Sequence, residues 1–340
     1  MARHPPEADL RPEHGEQITM GDLSIEFTAR GRAGLSNLDA PTAPAPSEIL
    51  TRTRYSGVTN GTERHGLMND SGRMLYPARV GYQHVSVVEA VGSEVEEYDE
   101  GDVVFIGNHG GHRGWHLIDL AASNERQRLC IKLPSDVEQE WCALLGITGV
   151  GMRHSRRIRI GPGQNVWVAG LGPAGQAVAQ AARAFGAYVT VTDVNQRRLD
   201  VAQELGAHRV INVAEPEGKQ LLKEGGPYDR IVDACGVPSF FLDIHRDRLL
   251  ARHGVVGALA VRQEATFHHG MLHSLTASIE SSSHFTLEDL RILLQFVRLG
   301  TIRIEPIVSR RLPVTEAPRI YDIMRDRPGD LLGVIFNWGP

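Results

Sequence analysis

Between residues 22 and 120 the apolar positions fall in short runs separated by Gly, Pro and Asp: LSIEF, EILTRTRYSG, HVSVVEAVGSEV, GDVVFIG and GWHLIDL. Short runs at close spacing predict a compact, mainly β unit. The stretch PTAPAPSE ahead of Ile49 predicts an extended connection. Beyond residue 145 the period changes. NVWVAG reads as a buried strand, and PAGQAVAQAARAFG puts Ala, Val and Phe at helical spacing with Gly186 as its stop. Strand YVTVTD, helix NQRRLDVAQELG, strand HRVINV, a helix around KQLLKE, strand DRIVDACG, helix FFLDIHRDRLLARHG and strand VVGALAV follow. Strand SLTASIES and helix TLEDLRILLQFVRLG close the series. Such alternation predicts an α/β fold with a doubly wound parallel sheet over 146–282. The short strands of the last forty residues (RIEPIVSRRLP, LGVIFNW) are expected to return to the first unit, which then comprises 21–145 and 283–340.

The length, 340 residues, suits two hydrophobic cores. Hydrophobic residues at 41% and charged residues at 23% are ordinary globular usage. With 36 basic against 41 acidic residues and no basic run, nucleic acid is not an expected partner. Cys130, Cys142 and Cys235 are scattered and odd in number, which argues against a disulfide framework or metal knuckle and fits a reducing cytoplasm. Residues 1–20 are charged and contain proline, so they predict a mobile tail rather than a signal peptide. No apolar stretch reaches membrane-spanning length.

Chemistry enters at Gly170-Leu171-Gly172-Pro173-Ala174-Gly175, which follows a strand and opens a helix. The first glycine makes a tight turn, the second admits a pyrophosphate, and the third lets helix and strand approach. Asp193 ends the next strand, eighteen residues past Gly175, where a carboxylate binds ribose hydroxyls. The pattern predicts a Rossmann dinucleotide site that prefers NAD, with NADP possible. Arg197 and Arg198 are near enough to serve a 2'-phosphate, and Arg198 is otherwise placed against the ribose. Ala258, in VVGALAV, is assigned to the same site. The alternative is a glycine turn with no ligand.

The domain order and the phrases SGVTNGTE, VVEAVGSEV, GDVVF, VTVTDVNQRRLDVAQELGA and EAPRIYDIM together resemble the medium-chain dehydrogenase/reductase superfamily. SGVTNGTERHG and LLGVIFNW are most similar to its branch of bacteriochlorophyllide a dehydrogenase and related enzymes of secondary metabolism. The resemblance implies a GroES-like β domain, a Rossmann domain, an active-site cleft between them, Thr148 beside the nicotinamide, and a homodimer. It also implies a catalytic zinc site, and here the chain departs from the pattern. Asn60 of TNGTERH stands at the first ligand position, Tyr82 of GYQHVSV at the second, and Leu144 of LLGITGVG at the third. A catalytic zinc needs three N, S or O ligands, so no metal is expected. The relay residues implied by the family remain: Thr62 as the hydroxyl, Glu63 as the acid, His65 as the end of the proton path.

The expected mechanism has Thr62 and Tyr82 holding the substrate oxygen during hydride transfer, with Asn60, His112 and His116 toward the substrate. Bland readings stand beside it: Tyr82 as a filler of the vacated volume, Thr62 as a cap, His65 as a solvated loop histidine. His109, His112 and His116, and His268, His269 and His273, read as polar loop histidines rather than metal ligands. Three functions remain open: a zinc-free alcohol/ketone oxidoreductase acting on a cyclitol, sugar or tetrapyrrole-like metabolite, a zinc-free quinone or enoyl reductase, and a nucleotide-binding protein without turnover.

Overall fold

The computed structural model describes residues 22–39 and 41–339; the tail expected over 1–20 lies outside them. The elements in chain order are β1 (Leu23–Ala29), β2 (Arg32–Asn37), β3 (Glu48–Gly57), α1 (Asn60–Leu67), β4 (Ala78–Arg79), β5 (His84–Val91), β6 (Val103–Ile106), β7 (Trp115–Asp119) and β8 (Cys130–Lys132). Then come α2 (Gln139–Cys142), α3 (Leu145–Arg157), β9 (Asn165–Ala169), α4 (Pro173–Ala184), β10 (Tyr188–Asp193), α5 (Gln196–Glu204), β11 (Arg209–Asn212) and α6 (Gly218–Glu224). The series ends with β12 (Tyr228–Asp233), α7 (Phe240–Arg246), β13 (Leu250–Ala258), α8 (His269–Leu275), β14 (Ser278–Ser281), α9 (Leu287–Arg298), β15 (Val308–Pro313), α10 (Ala317–Asp326) and β16 (Gly333–Asn337).

Six parallel strands run in the order β11-β10-β9-β12-β13-β14, and the chain crosses over between β9 and β12. Val166, Val168, Val189 and Val191 bury one face against α4 and α5, and Trp167, Ile231 and Val256 bury the other against α6 and α7. Both faces being covered explains why these strands read as continuous apolar runs. A second sheet, β15-β16-β3-β5-β6-β8 with β7 beside β3, joins the first and last parts of the chain, because β16 pairs antiparallel with β3. The fold is α/β, a Rossmann-type sheet with separate mainly-β sheets.

Three segments differ from the sequence expectation. TNGTERH opens a helix instead of a loop: Thr59 is the N-cap of α1, and its backbone N–H donates to Glu63 Oε1 at 2.6 Å. The helix read through FFLDIHRDRLLARHG ends at Arg246, since Leu250 already pairs with Tyr228 in the sheet. SLTASIES is helix at its start and strand only from Ser278, with Thr276 left-handed (φ 50°) at the junction. In the first of these two tertiary pairing overrides local helical spacing, and in the second a helix extends into the expected strand.

Candidate active site

β9 leads into Gly170, whose φ of 91° and contact with the Ala234–Cys235 backbone leave no room for a Cβ. At Gly175 a Cβ would lie 1.8 Å from the Gly170 carbonyl oxygen, which is why the helix can start this close to the strand. Gly172 faces open space. The first-turn amides of α4 have no intrahelical partner, and Ala174 and Gly175 line a cleft of about 1250 Å³. Asp193 closes this end. One carboxylate oxygen accepts from Leu171 N at 2.7 Å, the other from Val194 N at 2.8 Å and Asn195 N at 2.9 Å. Arg198 lies 3.9 Å from Asp193, and its Nη2 donates to the carbonyls of Pro328 and Leu331. Its Nε is buried without a partner at the cleft wall. A backbone cradle, a fixed carboxylate and an orphaned donor fit a nicotinamide dinucleotide. Pro173 and Ala258 also line the cleft; Thr148 does not, and its hydroxyl donates back to Leu144 O at 2.8 Å inside α3.

The opposite end is built from side chains. α1 presents Asn60, Thr62 and His65 to the cleft and turns Glu63 and Leu67 inward, as helical spacing requires. Thr62 is exposed, and His65 Nδ1 lies 3.2 Å from Asp70. Asn60 does not reach out to a ligand: its Nδ2 donates to Leu332 O at 2.7 Å. Tyr82 lines the cleft and is hydrogen-bonded to the Thr59 hydroxyl; burial, with the Glu63 carboxylate adding to it, pushes the phenol well above its ordinary pKa. Tyr82 therefore remains a hydrogen-bond donor across the neutral range. Next to it Gln83 donates to Gly57 O and accepts from Ile147 N, tying α3 to β3.

Glu63, His112 and His116, expected at the site, are withdrawn beneath it; none lines the cleft. Glu63 accepts from Tyr321 Oη at 2.5 Å and His112 Nε2 at 3.2 Å, while His112 Nδ1 meets Ser56 Oγ at 2.9 Å and Trp338 Nε1 donates to Ser56. Burial alone would raise the Glu63 carboxyl; His112, the Thr59 amide and Tyr321 outweigh it and hold it below the usual range. The His84 and His116 rings lie 4.4 Å apart at a tilt of 48°, fully buried, with pKa values driven far down by that burial. These strand positions look inward because β5 and β7 alternate.

The wall residues that sequence reasoning did not assign to the site are His109, His284, Arg126 and Ser281–Ser283. His284 has φ 63°, an uncommon left-handed conformation for a non-glycine residue. Its Nε2 donates to Gly107 O at 3.0 Å, and its ring packs 5.2 Å from Tyr82 and 4.9 Å from His109. Burial, then His109 and Arg126, depress its pKa to about 4. Only the local sequence SSSH, at the end of a predicted strand of the parallel sheet, hinted at a cleft position.

Among the described residues no group of three or more His, Cys, Asp or Glu is placed to hold a metal ion. At the three family ligand positions, Leu144 is hydrocarbon, Asn60 commits its Nδ2 to a carbonyl and offers only one neutral amide oxygen, and the Tyr82 phenol resists ionisation. This donor set does not fit a catalytic zinc.

Fold and cleft fit a dinucleotide-dependent oxidoreductase. The family model of zinc-binding dehydrogenases matches residues 173–298. L-threonine 3-dehydrogenase of Anaeromyxobacter sp. (strain Fw109-5) is 27% identical over 334 residues, 87% of this chain and 94% of that protein. Human sorbitol dehydrogenase is 26% identical over 336 residues, 89% and 93% of the two chains. An alcohol dehydrogenase from E. coli CFT073, solved with NADH, superposes with a TM-score of 0.80 at 18% identity, covering 93% of this chain and 98% of that one. Galactitol-1-phosphate dehydrogenase from Escherichia coli gives 0.79 at 19% identity, covering 93% and 99%. The matched family model, the relatives named as dehydrogenases and the superposed alcohol dehydrogenase structures all support a likeness to the medium-chain dehydrogenase/reductase superfamily and an NAD(P)-dependent oxidoreductase.

Proposed function

We propose that this enzyme oxidises a secondary alcohol, or reduces the matching ketone, of a specialised metabolite without a catalytic zinc. The observation that carries the reading is that Thr62, His65 and Tyr82 line one cleft with the glycine turn, while Asn60, Tyr82 and Leu144 stand where zinc ligands would be. The relatives named for threonine, sorbitol and galactitol 1-phosphate support a hydroxylated substrate. Bound nicotinamide supplies the hydride acceptor or donor. Tyr82 donates to the developing alkoxide and Thr62 passes the hydroxyl proton toward His65, which Asp70 orients. Asp193 favours NAD over NADP by repelling a 2'-phosphate. The reading extends to a homodimer through the exposed edge of β14 in a reducing cytoplasm.

Thr62→Val is expected to lower kcat about 100-fold with NADH affinity unchanged, and turnover is expected to survive chelator treatment of protein containing no zinc. Stoichiometric zinc whose removal abolishes turnover would overturn the metal-free mechanism. Conversion of a conjugated enone with no reaction on any alcohol would favour the alkene reductase instead.

A further inference from the structure

The substrate end of the cleft carries more positive charge than an alcohol needs. Arg64 and Arg126 both line it, and neither has a carboxylate partner among the described residues. Its acid, Asp70, is already engaged by His65. Arg64 Nε is buried without any hydrogen-bond partner. Arg126 makes a single 3.5 Å contact, from Nη2 to Ser283 Oγ. Its guanidinium is close enough to His109 and His284 to add to the burial that depresses both rings. A ligand that covered such a guanidinium with hydrocarbon or neutral hydroxyls would strip its water and leave the charge unpaired, at a cost of several kcal/mol. An oxyanion would replace that water with charge-assisted bonds in the fork geometry that guanidinium presents.

We propose that the substrate carries a carboxylate or phosphate group besides its reacting hydroxyl, seated by Arg126 with the Ser283 hydroxyl beside it, and with Arg64 adding positive charge from α1. This inference rests on the oxidoreductase reading above. The anion-bearing end sits at the mouth of the cleft, where Arg126 is exposed, and the reacting carbon lies inward toward Tyr82 and Thr62. His109 and His284, uncharged at neutral pH, then serve as a polar ring wall rather than as additional cations.

The test loads the protein with NADH, so that the pyrophosphate cradle is occupied, and titrates inorganic phosphate and, separately, acetate at constant ionic strength while following NADH fluorescence. One or both anions should bind saturably, and whichever binds identifies the phosphate or the carboxylate class. Arg126→Gln should weaken that binding at least tenfold, whereas Arg252→Gln, exposed and outside the cleft lining, should leave it unchanged. Saturable binding that Arg126→Gln leaves intact, or no saturable binding of either anion, overturns the proposal while the oxidoreductase reading stands. Failure of NADH itself to bind would remove that reading, and this inference with it.

Discussion

At the proposed cofactor end of the cleft the backbone makes the surface: amides at the start of α4, a carboxylate fixed by three main-chain N–H groups, and two glycines where no side chain fits. At the proposed substrate end side chains make it, on a helix, two loops and the end of β14. The first arrangement is tightly determined by steric exclusion and tolerates little change. The second rests on a buried polar network, Glu63–His112–Ser56–Trp338 with Tyr321, that holds α1 from below. The contrast teaches that one cleft can have two kinds of fragility, steric at one end and electrostatic at the other.

The largest effect expected from breaking the first kind is at Gly175. Gly175→Ala sets a methyl against the Gly170 carbonyl, so the helix must retreat from the strand. NADH affinity should fall by two orders of magnitude or more in a fluorescence titration, and a variant that binds NADH normally would show that the turn is not the cofactor cradle.

Next comes the support of the other end. Glu63→Ala leaves the His112 and Tyr321 donors without their buried acceptor and should destabilise the fold by about 3–5 kcal/mol. In denaturant unfolding monitored with and without NADH, the cofactor should still stabilise this variant as it does the parent. A loss under 1 kcal/mol would mean that the network is not what holds α1.

The third effect is one of pH. His154, which meets Ser282 Oγ at 2.9 Å, and His284 both have pKa values lowered to about 4, chiefly by burial, and His84 and His116 shift in the same direction. Because the unfolded chain takes up protons first as the pH falls, the stability that His154 and His284 contribute is complete above about 6.5 and is lost between there and about 4. His154 and His284 account for up to roughly 3 kcal/mol each. Unfolding midpoints measured from pH 8 to 4 should fall along this limb, and less steeply in His84→Phe; a flat profile would contradict the placement of neutral histidines around the substrate end.

Much of the cofactor end was legible in the chain. Glycine spacing and the residue ending the next strand are local features, because a turn and the strand beside it are set by neighbours in sequence. Thr62, His65, Tyr82 and Asn60 line the cleft, whereas Glu63, His112, His116 and Thr148 turn away from it. Which way each points depends on α1 being a helix and on the pairing of β5 and β7 with β3, which TNGTERH and GWH do not reveal alone. His284 and Arg126 were not identified as wall residues because they are far in sequence from Tyr82 and reach the cleft only through the tertiary fold.

The sequence alone therefore determined the alternation of strand and helix, the glycine turn with Asp193, and the substitution of Asn60, Tyr82 and Leu144 at the ligand positions of the family, since each follows from residue identity at short range. Tertiary structure alone decided that Glu63 and two histidines are buried supports and that Arg126, Ser283 and His284 line the cleft. Burial and long-range pairing choose which side of a strand or helix meets water, and no local pattern encodes that choice.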